Sequence, residues 1–175
     1  EDTLQITYQV RNKDTKTMYF GIGGHPGFCV PITDGLAFED YCIDFGENAQ
    51  LSQVVLSEDC FVTENTVSVP LVDDRYLPLR HGLFDRDAIV LDKMPKSLVI
   101  ESKRDSRKIR VVYEDMNYIG IWHWPKMEVN YVCIEPWSSL PSRKGIIEDL
   151  ETQPNLLHLD SGCEYRNTWS ITIEK

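Results

Sequence analysis

The chain has 175 residues, a hydrophobic fraction of 42% and a formal net charge of −10 at pH 7. This length allows a real hydrophobic core, and we expect one domain over residues 1–175. The acidic balance argues against nucleic acid or a membrane surface as the main partner, but it allows a neutral small molecule. The five cysteines are scattered and form no C-x-x-C pair, which predicts free thiols in a reducing compartment such as the cytoplasm.

The first predicted element is a β-strand with apolar side chains at every second position from Leu4 to Val10. A polar turn over residues 12–16 and a second strand over 17–22 predict a hairpin. Because Glu1 stands directly before the first strand, we expect that further chain precedes it in the parent protein. The first strand would then expose a sheet edge, through which a homodimer could form.

Short strands separated by turns rich in Gly, Pro, Asp and Asn continue along the chain. They are predicted over residues 39–45, 50–56, 88–91, 98–102, 109–113, 118–124, 129–135 and 166–174. Only residues 145–151 are expected to form a short helix. Parallel sheets need crossover helices, which this sequence lacks. The fold class is therefore predicted to be all-β, with antiparallel sheets in a β-sandwich or barrel.

His25 stands between Gly23-Gly24 and Pro26-Gly27, directly after an apolar strand. Glycine permits a tight backbone and proline fixes φ, so this turn would hold an imidazole at the mouth of a sheet. Histidine titrates near neutral pH and can act as a general acid or base. The alternative is a turn histidine that only binds backbone atoms.

Glu135 closes a largely apolar strand and is followed by Pro136 and Trp137. A carboxylate beside apolar and aromatic groups is partly desolvated, which raises its pKa toward that of a useful base. A solvent-facing acid in a turn is an equally good reading. His25 and Glu135 are thus the two candidates for chemistry.

A third cluster, over residues 81–87, combines His81 with Asp85 and Asp87. Its spacing matches no standard metal motif, so no metal site is predicted there. A loop that offers a carboxylate to sugar hydroxyls is more plausible, with Asp87 or Asp85 at a sheet rim, and a plain surface loop remains open. Arg80 and Arg86 nearby could contact a phosphate.

Trp122 and Trp124 point to one face of a predicted strand and His123 to the other. Aromatic rings stack on the C–H faces of sugars, although a tryptophan in a sheet usually lies in the core. One of the two is expected in the core and the other is left open. The chain has no G-x-S-x-G, P-loop, G-x-G-x-x-G or H-E-x-x-H motif, so hydrolase, nucleotide and zinc-protease functions have little support.

These segments together resemble the aldose 1-epimerase (mutarotase) family, and most closely its branch of lactose-operon X proteins. The resemblance is carried, in family order, by residues 18–28, 38–41, 83–88, 118–122 and 133–137. Family members are longer, and the chain resembles their C-terminal part. The part that it does not match supplies early strands, a sugar-contacting arginine and a second histidine, to which no residue here corresponds.

The resemblance implies a large antiparallel β-sandwich and a reaction that interconverts the α and β anomers of a hexose without a cofactor. It implies that His25 is the general acid and Glu135 the general base. It also implies an aspartate that binds sugar hydroxyls, for which Asp87 is the choice, and Trp122 is added as a substrate contact.

Three other functions remain open from the sequence. A non-catalytic carbohydrate-binding module would need the aromatic and aspartate contacts but neither His25 nor Glu135. A glycosidase would use Asp87 and Glu135 as its carboxylate pair, about 5–10 Å apart. A purely structural β-domain would bind no sugar. The sequence does not distinguish glucose, galactose and phosphorylated hexoses.

Overall fold

A computed structural model describes residues 2–175 and is built almost entirely from β-strands. Two short 3-10 helices, Phe38–Asp40 and His81–Phe84, interrupt them. The strands are β1 Asp2–Arg11, β2 Met18–Phe20, β3 Gly27–Cys29, β4 Cys42–Asp44, β5 Ser52–Leu56, β6 Val62–Ser68, β7 Tyr76–Pro78, β8 Ile89–Lys93, β9 Ser97–Glu101, β10 Lys108–Val112, β11 Tyr118–Trp122, β12 Tyr131–Trp137, β13 Leu157–Leu159 and β14 Glu164–Glu174.

Two six-stranded sheets account for most of these strands. One has the order β1-β14-β10-β9-β4-β7 and the other β3-β12-β11-β8-β5-β6, while β13 and β2 form a small ribbon. Neighbouring strands of residues 2–175 pair antiparallel. The predicted all-β, antiparallel fold is therefore confirmed.

The inner faces of the two sheets share one apolar core. Ile43 and Ile100 from one sheet and Leu91, Ile121 and Ile134 from the other are fully buried in it. Strands β8 and β11 are buried at nearly every position. This pattern explains why these strands read as continuous apolar runs.

The predicted hairpin between the first two strands is wrong. Strand β1 pairs along its whole length with β14, the last strand of the chain, from Asp2 opposite Ile173 to Arg11 opposite Glu164. Strand β2 pairs with β13 in the separate ribbon. The first strand thus finds its partner within the chain, and its other side is an edge of the sheet. Pairing of two copies through that edge stays a prediction.

The buried side chain of Asn12 directs the chain away from a hairpin. Its Nδ2 donates hydrogen bonds to the carbonyls of Lys16 (2.7 Å) and Leu159 (2.8 Å), and its Oδ1 accepts one from the backbone N–H of Asp14 (2.9 Å). Only 2% of Asn12 is exposed. One amide therefore closes the turn and ties it to β13.

We expect Asn12→Ala to lower the free energy of unfolding by about 1–3 kcal/mol, because it leaves buried backbone groups without partners. Urea denaturation of the variant beside the parent chain measures the difference. The neighbouring, exposed Lys13→Ala serves as a control that should change stability little. Equal effects of both substitutions would contradict this role.

The helix expected over residues 145–151 is also absent, since the structure has turns and irregular backbone there. Arg143 binds Glu148 through two guanidinium hydrogen bonds of 2.7 and 3.0 Å. The backbone of Lys144 donates to Val62 at 2.9 Å, which ties the segment to β6. These bonds hold an irregular loop in place of helical hydrogen bonds. Among residues 2–175, no helix is long and apolar enough to cross a membrane.

Candidate functional site

Residues 22–26 lie alongside β12 and hold His25 next to Glu135. The backbone N–H of Gly24 donates to the carbonyl of Pro136 (2.9 Å), and that of Ile134 donates to the carbonyl of Pro26 (3.2 Å). These two bonds bracket Glu135 on one strand and His25 on the other. The turn that the sequence places before β3 therefore sits beside the acid of β12.

Three glycines allow the chain to approach two tryptophan rings closely. A Cβ on Gly24 would lie 2.6 Å from the buried ring of Trp169, and one on Gly23 would lie 2.7 Å from the ring of Trp137. A Cβ on Gly120 would lie 3.0 Å from the far edge of the Trp137 ring. Larger residues at these positions would push the rings or the His25 loop out of place.

The alternation of β12 separates its core residues from its site residues. Val132 and Ile134 point into the core and are fully buried. Cys133, Glu135 and Trp137 alternate with them and so lie on the opposite face. On this face, Gly120 of β11 stands opposite Glu135.

The closest approach between the two candidate groups is 3.3 Å, from His25 Nε2 to Glu135 Oε1. The side chain of His25 is 61% exposed, whereas that of Glu135 is 5% exposed. The ring of Trp122 meets the His25 ring edge-on, with centroids 5.7 Å apart. The pair is thus open to solvent on the histidine side and enclosed on the carboxylate side.

The surroundings of Glu135 hold its pKa above the ordinary value for a glutamate. Burial is the main cause, and the negative charge of Asp87 adds to it, while His25 and a hydrogen bond from the Trp137 side chain act in the opposite direction. A raised pKa makes this carboxylate a stronger base than an exposed one. The environment that the sequence suggested for Glu135 is present.

Asp87 is half-buried two residues before β8, in the left-handed backbone region with φ of 86°. Its Oδ1 accepts a hydrogen bond from the backbone N–H of Ala88 (2.9 Å), and its Oδ2 accepts one from the thiol of Cys60 (3.1 Å). The thiol pKa of Cys60 is raised by this contact. These two bonds hold the Asp87 carboxylate, whose charge acts on Glu135, whereas Asp85 is exposed.

We expect Asp87→Asn to shift the acid limb of any Glu135-dependent activity to lower pH. The substitution removes a negative charge that raises the pKa of Glu135, so the carboxylate stays ionised further into the acid range. The measurement is a pH profile of the rate at low substrate concentration. Asp85→Asn is the matched control, and an unshifted acid limb in Asp87→Asn would contradict this coupling.

Trp122 and Trp124, at the end of β11, both lie outside the core. From the sequence, one of them was expected inside it. Trp122 is half-buried beside His25 and Trp124 is 60% exposed. Their rings pack edge to face, with centroids 6.1 Å apart. His123, on the opposite face, is fully buried instead. Trp122 therefore borders the candidate site, and Trp124 extends the aromatic surface away from it.

His81 and His123 form a hydrogen-bonded pair that sequence reasoning missed. The Nδ1 of His123 lies 2.8 Å from the carbonyl of Trp124, and its Nε2 lies 3.2 Å from Nδ1 of His81. Burial lowers the pKa of His123, so its neutral form is favoured and its Nε2 accepts from His81. His81 stacks on Phe38 at 4.3 Å. The pair fastens the helix His81–Phe84, which leads to Asp87, onto the end of β11.

Two cavities adjoin the site. A depression of about 320 Å³ is lined by residues 21–25 together with Trp137 and Ser139. A larger cavity of about 880 Å³ has Asp87 at its rim, and its wall includes Asp85, Arg80 and Arg86. Because two aspartates balance the two arginines, this wall gives no clear preference for an anion.

The structure brings three of the four predicted site residues close together: His25, Glu135 and Trp122. Asp87 is linked to them by its effect on Glu135. Sequence reasoning missed Cys133 and Cys60, although the period of two along β12 places Cys133 on the same face as Glu135. Cys60 comes from a distant hairpin, and nothing in its local sequence indicates a contact with Asp87.

No family model matches the chain. Among curated proteins, it is 28% identical over 177 residues to the plasmid and chromosomal LacX proteins of Lactococcus lactis, which covers 98% of this chain and 58% of each relative. The chain thus spans less than two thirds of the length of these relatives.

Solved structures show the same architecture. A galactose mutarotase related enzyme from Lactobacillus acidophilus matches with a TM-score of 0.89 and 29% identity, over 99% of this chain and 58% of that one. A galactose mutarotase-like protein from Lactobacillus casei matches with a TM-score of 0.86 and 24% identity, over 97% of this chain and 58% of that one. The second match supports the fold alone. The chain is therefore similar in sequence to the LacX proteins and to a galactose mutarotase related enzyme, and it shares the galactose mutarotase-like fold.

Proposed function

We propose that the protein is an aldose 1-epimerase that interconverts the α and β anomers of a hexose. One observation carries this proposal: an exposed histidine and an enclosed glutamate meet at 3.3 Å on an open face of the sheet. Anomer exchange needs one proton donor and one proton acceptor near the two oxygens of a single carbon.

Ring opening begins with His25 protonated and Glu135 ionised. Glu135 takes the proton of the anomeric hydroxyl, the electrons of that O–H bond form the C1 carbonyl, and the bond from C1 to the ring oxygen breaks. His25 gives its proton to the ring oxygen as that bond breaks. The product is an open-chain aldehyde between a neutral imidazole and a neutral carboxylic acid.

Ring closure on the other face of the aldehyde completes the exchange. After rotation about the C1–C2 bond, the hydroxyl of the former ring oxygen attacks C1 and returns its proton to His25. Glu135 returns its proton to the carbonyl oxygen. The two groups end in their starting states, so the reaction needs no cofactor. The positive charge of protonated His25 favours the ionised form of Glu135, against the effect of burial.

The remaining residues would position the sugar. Trp122 offers an aromatic face beside His25, suited to the C–H face of a hexose. Asp87 has a carboxylate that could accept hydrogen bonds from sugar hydroxyls. The small-molecule partner in this proposal is a hexose. The acidic chain is expected to act in the cytoplasm and to bind neither nucleic acid nor membranes.

Polarimetry of freshly dissolved α-glucose and α-galactose tests this function. We expect the protein to accelerate relaxation to the anomeric equilibrium and His25→Asn to lose that acceleration. His158→Asn is the matched control, because His158 contacts Tyr19 in the separate ribbon. If the folded parent chain accelerates neither sugar, or His25→Asn keeps full activity, the proposal is wrong.

Binding measurements separate the enzyme from a carbohydrate-binding module. Isothermal titration with the same sugars should detect binding in both the parent chain and His25→Asn. Sugar binding without anomer exchange in the parent chain would favour the binding module. Release of a sugar from a glycoside would favour the glycosidase.

A further inference from the structure

We propose that His25, Cys133 and Glu135 form a binding site for one thiophilic divalent cation, with Zn²⁺ as the best-suited ion. Their ligand atoms, an imidazole nitrogen, a thiol sulfur and a carboxylate oxygen, all lie within 4.8 Å of one another. Among residues 2–175, this is the one group of three or more such side chains with that spacing.

The geometry fits a tetrahedral metal with one free position. Zinc bonds of about 2.0–2.3 Å place neighbouring ligand atoms roughly 3.4–3.7 Å apart. His25 Nε2 and Glu135 Oε1 already lie 3.3 Å apart, so only Cys133 has to approach. Since the His25 side chain is 61% exposed, it can adjust, and the fourth position opens toward solvent.

The types of the three ligands favour zinc over magnesium or calcium. Thiolate and imidazole are ligands of zinc and other soft or borderline ions, whereas magnesium and calcium prefer sites made of oxygen atoms. A thiolate and a carboxylate together balance the two positive charges of the ion. Metal binding would displace into solvent the proton of the Cys133 thiol and, where His25 is protonated, the proton of its ligating nitrogen.

Cys133 has no part in the proposed anomer exchange, yet it lies in the wall of the site. It is 4% exposed, and its sulfur would be 3.6 Å from a Cβ on Gly27. Burial and the charge of Glu135 raise the pKa of its thiol to about 11. The thiol is thus largely protonated until a cation binds.

Metal binding would stop anomer exchange, because the ion occupies both the acid and the base. This consequence rests on the proposed function, whereas the binding site itself does not. If the metal site and the proposed function are both right, zinc should bind and inhibit anomer exchange, and a chelator should reverse the inhibition. Metal binding by a protein without epimerase activity would support the site and reject only the proposed function.

Titration of the chelator-treated protein with CoCl₂, followed by displacement with ZnCl₂, tests the site. We expect one equivalent of Co²⁺ to bind and to produce a thiolate-to-cobalt charge-transfer band in the near ultraviolet, which Zn²⁺ then abolishes. Cys133→Ser should lose the band, and His25→Asn should weaken binding at least about 10-fold. Cys163→Ser, an exposed cysteine outside the site, should keep the parent behaviour.

His25→Asn keeps the test valid if Cys133→Ser fails to fold, because His25 is exposed and the substitution leaves the core intact. Absence of a one-equivalent cobalt complex in the parent chain would overturn the proposal. So would an unchanged charge-transfer band in folded Cys133→Ser, or unchanged affinity in folded His25→Asn. Loss of the band in Cys163→Ser would assign the metal to another thiol and also overturn it.

Discussion

Glu135→Gln should slow anomer exchange by about 10²–10⁴-fold, the usual contribution of a general base. Glutamine has nearly the same shape as glutamate but cannot take a proton from the anomeric hydroxyl. Polarimetry in the presence of a chelator measures the rate without interference from bound metal. Glu128→Gln, in the exposed loop between β11 and β12, is the matched control and should keep the parent rate.

The same substitution should make the protein more stable at neutral pH. The pKa of Glu135 is raised in the folded state, chiefly by burial, so folding favours its protonated form. Its contribution to stability is present below the ordinary pKa of glutamate and is lost as pH rises through the folded value. Glutamine is neutral at every pH and avoids this loss.

Thermal unfolding at two pH values distinguishes this effect from a general change in packing. We expect Glu135→Gln to raise the melting temperature at neutral pH, and the gain to shrink as the pH falls toward the ordinary pKa of glutamate. A variant that is inactive but less stable at neutral pH would mean that Glu135 serves the fold through its contacts. A fully active variant would exclude it as the base.

Alternating strands with apolar faces were predictable from the sequence. The period of two in β1 and the apolar runs of β8, β9, β11 and β12 follow from burial on one or both faces. Strand β6 was missed, because Val62–Ser68 is a mostly exposed edge strand with few apolar residues. Edge strands are often polar, which weakens their signal.

The pairing of the strands was harder to predict from the sequence than their positions. Nothing local indicates that β1 pairs with β14, more than 150 positions away, while β2 joins β13. The sequence suggested a hairpin because a polar segment follows the first strand. Asn12 looks like an ordinary turn residue there, and its bond to Leu159 appears only in three dimensions.

The candidate site, too, could be predicted from the sequence only in part. His25 and Glu135 could be identified because each follows a strand and sits among residues that restrict the backbone. Their contact at 3.3 Å depends on the pairing of residues 22–26 with β12, which no local pattern reveals. The His81–His123 pair was missed because the two histidines come from a 3-10 helix and a strand end that are far apart in sequence.

Gly24→Ala should reduce both the stability and the proposed activity, although the substitution adds only one methyl group. Its Cβ would lie 2.6 Å from the Trp169 ring, and Trp169 is 5% exposed, so the ring has little room to move. Overpacking of this kind costs about 1–3 kcal/mol of unfolding free energy.

The loop is expected to relieve the clash by moving away from Trp169, and this would move His25 relative to Glu135. A displacement of roughly 1 Å at a catalytic group can reduce the rate about 10²-fold. Gly82→Ala is the control, because the nearest atom to its Cβ would be 3.8 Å away. Urea denaturation and polarimetry of both variants measure the two effects. Parent activity in a destabilised Gly24→Ala would show that the position of His25 does not depend on its contact with Trp169.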